Sequence, residues 1–69
     1  MTNAEFLKRL GLEYKVSRIR NGLSRKQVAK TSGLTVETIG AIERGQVDAG
    51  ILTLKRISEA IGRSIEEML

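Results

Sequence analysis

The sequence predicts an all-α fold, and three observations carry that prediction. No segment alternates apolar and polar residues with the β-branched enrichment of a strand. The apolar residues instead recur at spacings of three and four, as on one side of a helix. Gly22, Gly33, Gly45 and Gly62 each follow such a run, where a left-handed C-terminal cap wants glycine. The expected architecture is a compact five-helix bundle forming a single domain over residues 1–69.

The first helix is predicted from about Ala4 to Asn21, with Leu7, Leu10, Tyr14 and Ser17 facing inward and Lys8, Lys15 and Arg20 in water. Ser24 opens S-R-K-Q, a capping box in which Ser24 accepts from the Gln27 amide and Gln27 reaches back. Helix 2 follows, with Val28 and Ala29 inward until Gly33. Thr35 caps helix 3, Glu37 lies in its first turn where the helix dipole favours an anion, and Ile39 and Ile42 share one face. This helix ends at Gly45, and a loop runs from Gln46 to Gly50. Ile51, Leu54, Ile57 and Ile61 make an apolar stripe for helix 4. S-I-E-E then opens a last short turn with Ile65 and either Met68 or Leu69 inward.

Composition narrows the function. The chain has 69 residues, 41% of them hydrophobic and 29% charged, with no proline, so it is globular rather than disordered. It has no Cys and no His, which excludes a disulfide or an ordinary zinc site, and no cofactor is expected. Without His, Cys or a glycine-rich phosphate loop after a strand, and with little chain to wall off a cleft, catalysis is not expected. No apolar run exceeds a few residues, so no membrane partner is expected and the chain reads as a soluble cytoplasmic protein. Twelve Lys and Arg against eight Asp and Glu give a net charge of +4, which fits a phosphate-bearing partner.

Helices 2 and 3, joined by a turn of three or four residues at Gly33 and Leu34, meet the description of a helix-turn-helix over about residues 24–45. Ala29 is small where the two helices approach, Gly33 supplies the positive φ of a sharp turn, and Leu34 plugs the angle between them. Ile39 and Ile42 anchor helix 3 from behind. An ordinary helical hairpin shares any one of these features; the set, with one helix before and two after, is more specific.

These residues resemble the lambda-type phage repressor and Cro family, also called the XRE-type helix-turn-helix family. The motifs are L-G-x-x-Y at 10–14, R-x-x-x-G-L-S at 18–24, V-A-x-x-S-G-L-T at 28–35 and T-I-x-x-I-E-R-G at 38–45, then L-x-x-I-S-E-A-I-G and S-I-E-E-M-L. They cover about Leu10 to Leu69. The resemblance implies a lambda-repressor-like domain that binds double-stranded DNA, usually as a homodimer, with helix 3 in the major groove. It also implies that Arg18 and Glu43 form a bridge from helix 1 to the end of helix 3. At the start of helix 2 relatives commonly place Gln against the DNA backbone, and Arg25 stands here with a full charge.

Residues 36, 37, 40, 41 and 44 share one face of helix 3, opposite Ile39 and Ile42. That face is sparsely polar for a reader of bases. Val36 can contact a thymine methyl, Glu37 can accept from cytosine N4, and Gly40 and Ala41 allow close approach. Thr35, Thr38, Arg44 and Gln46, with Arg25 and Lys26, are the candidates for phosphates and sugars. A gene repressor on a palindromic operator is the leading expectation, with Leu52, Ile65, Met68 and Leu69 as the candidate dimer contact. A second reading also fits the weakly polar helix 3: an antitoxin-like or adaptor module that keeps the fold and mainly binds a protein partner.

Overall fold

The computed structural model describes all 69 residues, Met1–Leu69. Five helices follow one another without a strand: α1 (Asn3–Arg20), α2 (Arg25–Ser32), α3 (Val36–Glu43), α4 (Ile51–Ala60) and α5 (Ile65–Met68). Helix α1 starts one residue earlier than the sequence reading placed it, because T-N-A-E is itself a capping box. The Thr2 hydroxyl accepts from the Glu5 amide at 3.1 Å, and the Glu5 carboxylate accepts from the Thr2 amide at 2.9 Å. Ser24 and Gln27 make the same reciprocal pair at the head of α2, at 3.1 and 2.7 Å. At α5 the Glu67 carboxylate accepts from both the amide and the hydroxyl of Ser64. The four glycines at the helix ends all have positive φ, between 68° and 80°.

Ten side chains form the core: Leu10 and Tyr14 of α1, Val28 and Ala29 of α2, Ile39 and Ile42 of α3, Leu54 and Ile57 of α4, then Ile61 and Met68. Tyr14, 1% exposed, carries a phenol that needs partners there. It donates to the Leu54 carbonyl at 3.2 Å and shares a 2.9 Å hydrogen bond with the Ser58 hydroxyl, tying α1 to α4. Burial pushes the Tyr14 pKa up, and the Ser58 hydrogen bond opposes the rise.

Helix α1 crosses the end of α3 with backbone nearly against backbone. Gly11 is buried at that crossing, and a Cβ there would run into the carbonyl oxygens of Ile42 and Glu43. Only glycine fits, which accounts for the glycine inside L-G-x-x-Y.

Two expectations need correction. Ile51 was expected on the inward stripe of α4 but is 56% exposed, since as the first residue of the helix it extends past the edge of the core. Leu7 is half-buried for the matching reason at the start of α1. No helix is long and apolar enough to cross a membrane.

Candidate nucleic-acid interface

Helix α3 is held from behind and open in front. Ile39 and Ile42 are 1% and 4% exposed in the core, while Val36 is 42% exposed on the outward face. Glu37 is exposed beside it, and Ala41 is half-buried. The Thr35 hydroxyl accepts from the Thr38 amide at 3.1 Å, which caps the helix, and donates to the Thr38 hydroxyl at 2.9 Å. The cap leaves the Thr38 hydroxyl proton free to point at an acceptor outside the protein.

Gly40 does not offer the open surface expected of it. It is buried, because the guanidinium of Arg44 lies back over it; a Cβ on Gly40 would sit 2.9 Å from one terminal nitrogen of Arg44 and 3.6 Å from its central carbon. Arg44 lies one turn along the helix, and Nε donates to the Gln46 side-chain oxygen at 3.1 Å. An interior glycine costs a helix ~1 kcal/mol relative to alanine. Here the missing Cβ makes room for the arginine.

Glu43, the last residue of α3, is the electrostatic hub of the domain. Its side chain is 3% exposed and its carboxylate accepts from two arginines, Arg18 Nε at 2.7 Å and Arg25 Nε at 2.9 Å. A second Arg18 nitrogen reaches the same carboxylate at 3.2 Å, and a third donates to the Leu23 carbonyl at 2.9 Å. Three helices therefore meet on one carboxylate, with Arg18 from α1 and Arg25 from α2. The Arg18–Glu43 bridge is present, and Arg25 joins it, which the sequence reading did not foresee. Arg25 remains 36% exposed in its side chain, and its terminal nitrogens make no hydrogen bond within the protein. Glu43 thus fixes the direction of Arg25 without consuming its outer donors.

The turn between α2 and α3 places Leu34 against the core and Gly33 at φ 75°. Arg56 of α4 comes up against this turn, with a terminal nitrogen 2.7 Å from where a Gly33 Cβ would be. No local motif marks Arg56 in the sequence. Its approach to the turn depends on the packing of α4 on α2. Lys26 is exposed in the first turn of α2, and Gln46 is exposed just past α3. Arg25 and Lys26 at the head of α2 and Arg56 at the turn thus bring positive charge to the helix-turn-helix, while Arg44 lies across the front of α3.

The candidate dimer residues separate. Met68 is buried in the core and Ile65 is half-buried against it, so Met68 closes the domain rather than meeting a partner. Leu52 and Leu69 remain 72% and 61% exposed. Phe6, 44% exposed, lies with Leu69 on the same cleft between the start of α1 and the end of α5.

A helix presented in this way, buttressed behind and with cations at the head of α2 and at the turn, defines a DNA-binding helix-turn-helix protein. The HTH_3 helix-turn-helix family matches residues 15–68, and the chain belongs to that family, a branch of the XRE type. No curated protein matches the chain by sequence. Among solved structures, the restriction-modification controller protein C.AhdI from Aeromonas hydrophila is similar at 26% identity and a TM-score of 0.90, covering 94% of this chain and 98% of its own. An HTH_3 family transcriptional regulator from Vibrio cholerae is similar at 28% identity and a TM-score of 0.89, over 97% of this chain and 38% of its own length. The clp gene regulator ClgR from C. glutamicum shares the fold, with 21% identity and a TM-score of 0.85, over 88% of this chain and 78% of its own. The chain is accordingly a DNA-binding regulator of transcription and not an enzyme.

Proposed function

We propose that the protein represses transcription by binding a two-fold symmetric operator as a homodimer, with α3 laid in the major groove. The observation that carries this reading is the Glu43 hub. A buried carboxylate aims Arg25 outward at the head of α2, where an exposed cation meets a phosphate. Lys26, Thr35, Thr38 and Gln46 stand beside it as further backbone contacts. Val36, Glu37 and Ala41 face the base edges. Arg56, at the turn, joins the phosphate set. The whole of residues 1–69 acts as one cytoplasmic DNA-binding domain.

The dimer contact in this reading uses Leu52, Ile51, Leu69 and Phe6, the large apolar side chains left exposed on α4, at the C-terminus and at the start of α1. The two copies of α3 then stand ~34 Å apart and require half-sites one helical turn apart. Likeness to a restriction-modification controller and to a transcriptional regulator supports the regulatory role. The exposed Val36 keeps one rival in play, a module that docks a protein partner on α3.

A titration of duplex DNA at about 50 and 200 mM salt separates the two. Under the DNA reading, affinity for a palindromic subset is high and falls steeply with salt. Arg25→Ala then weakens binding to every sequence alike and reduces the salt slope by ~0.9 for each phosphate contact removed. Binding no tighter than ~0.1 mM at the lower salt falls in or below the usual non-specific range and would favour the protein-partner reading.

A further inference from the structure

We propose that Arg44 reads a guanine in the major groove and is the main hydrogen-bonding determinant of operator sequence. This rests on the DNA-binding reading above and assigns Arg44 to a base, where its place at the end of α3 alone suggested a phosphate.

Three observations lead there. Arg44 does not extend away from the end of the helix; its guanidinium lies back over Gly40, near the middle of the outward face between Val36 and Arg44. A recognition helix contacts base edges with its N-terminal residues, and folding back over Gly40 carries the guanidinium from the C-terminal end of α3 towards that part. Because Gly40 has no Cβ, the planar guanidinium can lie close to the helix backbone; a Cβ would stand 2.9 Å from one terminal nitrogen, and the side chain would have to shift. Gln46 then accepts from Nε at 3.1 Å, which leaves the two terminal nitrogens as a free pair of parallel donors. Guanine is the base that presents two adjacent acceptors, O6 and N7, in the major groove, and a guanidinium fork matches that pair. The face that looks sparsely polar by position therefore carries a five-donor group delivered from one turn away.

Selection of bound duplexes from a randomised pool, followed by titration of the selected site and its single-base variants at fixed salt, tests this with the wild type, Arg44→Ala, Arg44→Lys and Gly40→Ala. The wild type is expected to fix one guanine per half-site, and exchanging it for adenine weakens binding about 5- to 150-fold. Arg44→Ala erases that preference, and its loss of affinity is larger on the selected site than on non-specific duplex. Arg44→Lys keeps the charge and weakens the preference, because the ammonium lacks the rigid planar fork and the Nε donor that Gln46 holds in place. Gly40→Ala, with an unchanged or higher melting temperature, displaces the guanidinium and relaxes the preference at the same position.

A guanine preference that survives Arg44→Ala, or a loss of affinity equal across all duplexes, overturns the proposal and leaves the DNA reading intact. Full preference in Arg44→Lys overturns it too, since a charge alone would then suffice. A wild type that binds no duplex at all refutes the DNA reading beneath it.

Discussion

The two sides of α3 are built to different tolerances. Behind it, Ile39 is 1% exposed, Glu43 is gripped by Arg18 and Arg25, and Gly11 brings α1 so close that no side chain fits between. In front, Val36 and Glu37 are exposed, and Arg44 makes a single side-chain hydrogen bond, to Gln46. The difference teaches a division of labour within eight residues. The back fixes where the helix sits, and the front can change chemistry without disturbing the fold.

Exchanges on the two sides should therefore differ sharply in cost. The largest effect is expected for Glu43→Ala, which leaves two arginines facing each other with one of them buried; removing one partner of a buried ion pair costs ~3–5 kcal/mol. Next is Gly11→Ala, whose Cβ meets backbone rather than a flexible side chain, and overpacking of that kind costs ~1–3 kcal/mol or more. Urea unfolding followed by circular dichroism measures both. Val36→Ala on the front should stay within ~0.5 kcal/mol of the parent in the same assay, as surface exchanges do. A Val36→Ala loss equal to that of Glu43→Ala would erase the contrast between the faces.

The smallest expected effect is on pH. Hydrogen bonds from the Thr2 backbone amide, then the Thr2 hydroxyl, hold the Glu5 carboxyl below its ordinary value. The Ser64 backbone amide, its hydroxyl and the Arg63 charge do the same for Glu67. A lowered carboxylate pKa contributes stability that is present above the ordinary carboxylate range and is lost as pH falls through the folded-state value. Tyr14 has the opposite sign. Its raised pKa contributes stability that is complete below the ordinary phenol value of about 10 and is lost as pH rises through the folded-state value. The melting temperature should form a plateau with a shallow acid limb and a separate alkaline limb. Tyr14→Phe should remove the alkaline limb alone, and the Glu5→Gln, Glu67→Gln pair should flatten the acid limb alone.

Much of the fold was legible because its signals are local. Capping boxes at Ser24 and Ser64, a cap at Thr35 and glycines at four helix ends each act within a few residues, and their chemistry is written in sequence order. The box at Thr2 is equally local. The inward residues of α2 and α3 followed from spacing, as did the position of the turn.

What the sequence concealed depends on side chains that travel. Arg25 could be placed at the head of α2, but its hold on Glu43 spans eighteen positions and needs the fold. Arg44 was assigned to its own position, whereas its guanidinium arrives a full turn away, over Gly40. Met68 and Leu69 are adjacent apolar residues, and only the packing of α5 decides that one is buried and the other is 61% exposed. Long side chains and short terminal helices are where periodicity loses its grip.

The most direct test of the central claim, that the front of α3 is the DNA-binding surface, is an amide NMR titration of the protein with the duplex selected from a randomised pool. The account predicts that the shifted amides cluster on Gly33 to Ala41, the first turn of α2 and the Arg44–Gln46 segment, with α5 unmoved apart from any dimer contact at Leu69. Shifts confined to α4 and α5, with Val36, Glu37 and Gly40 unchanged at saturation, would contradict it.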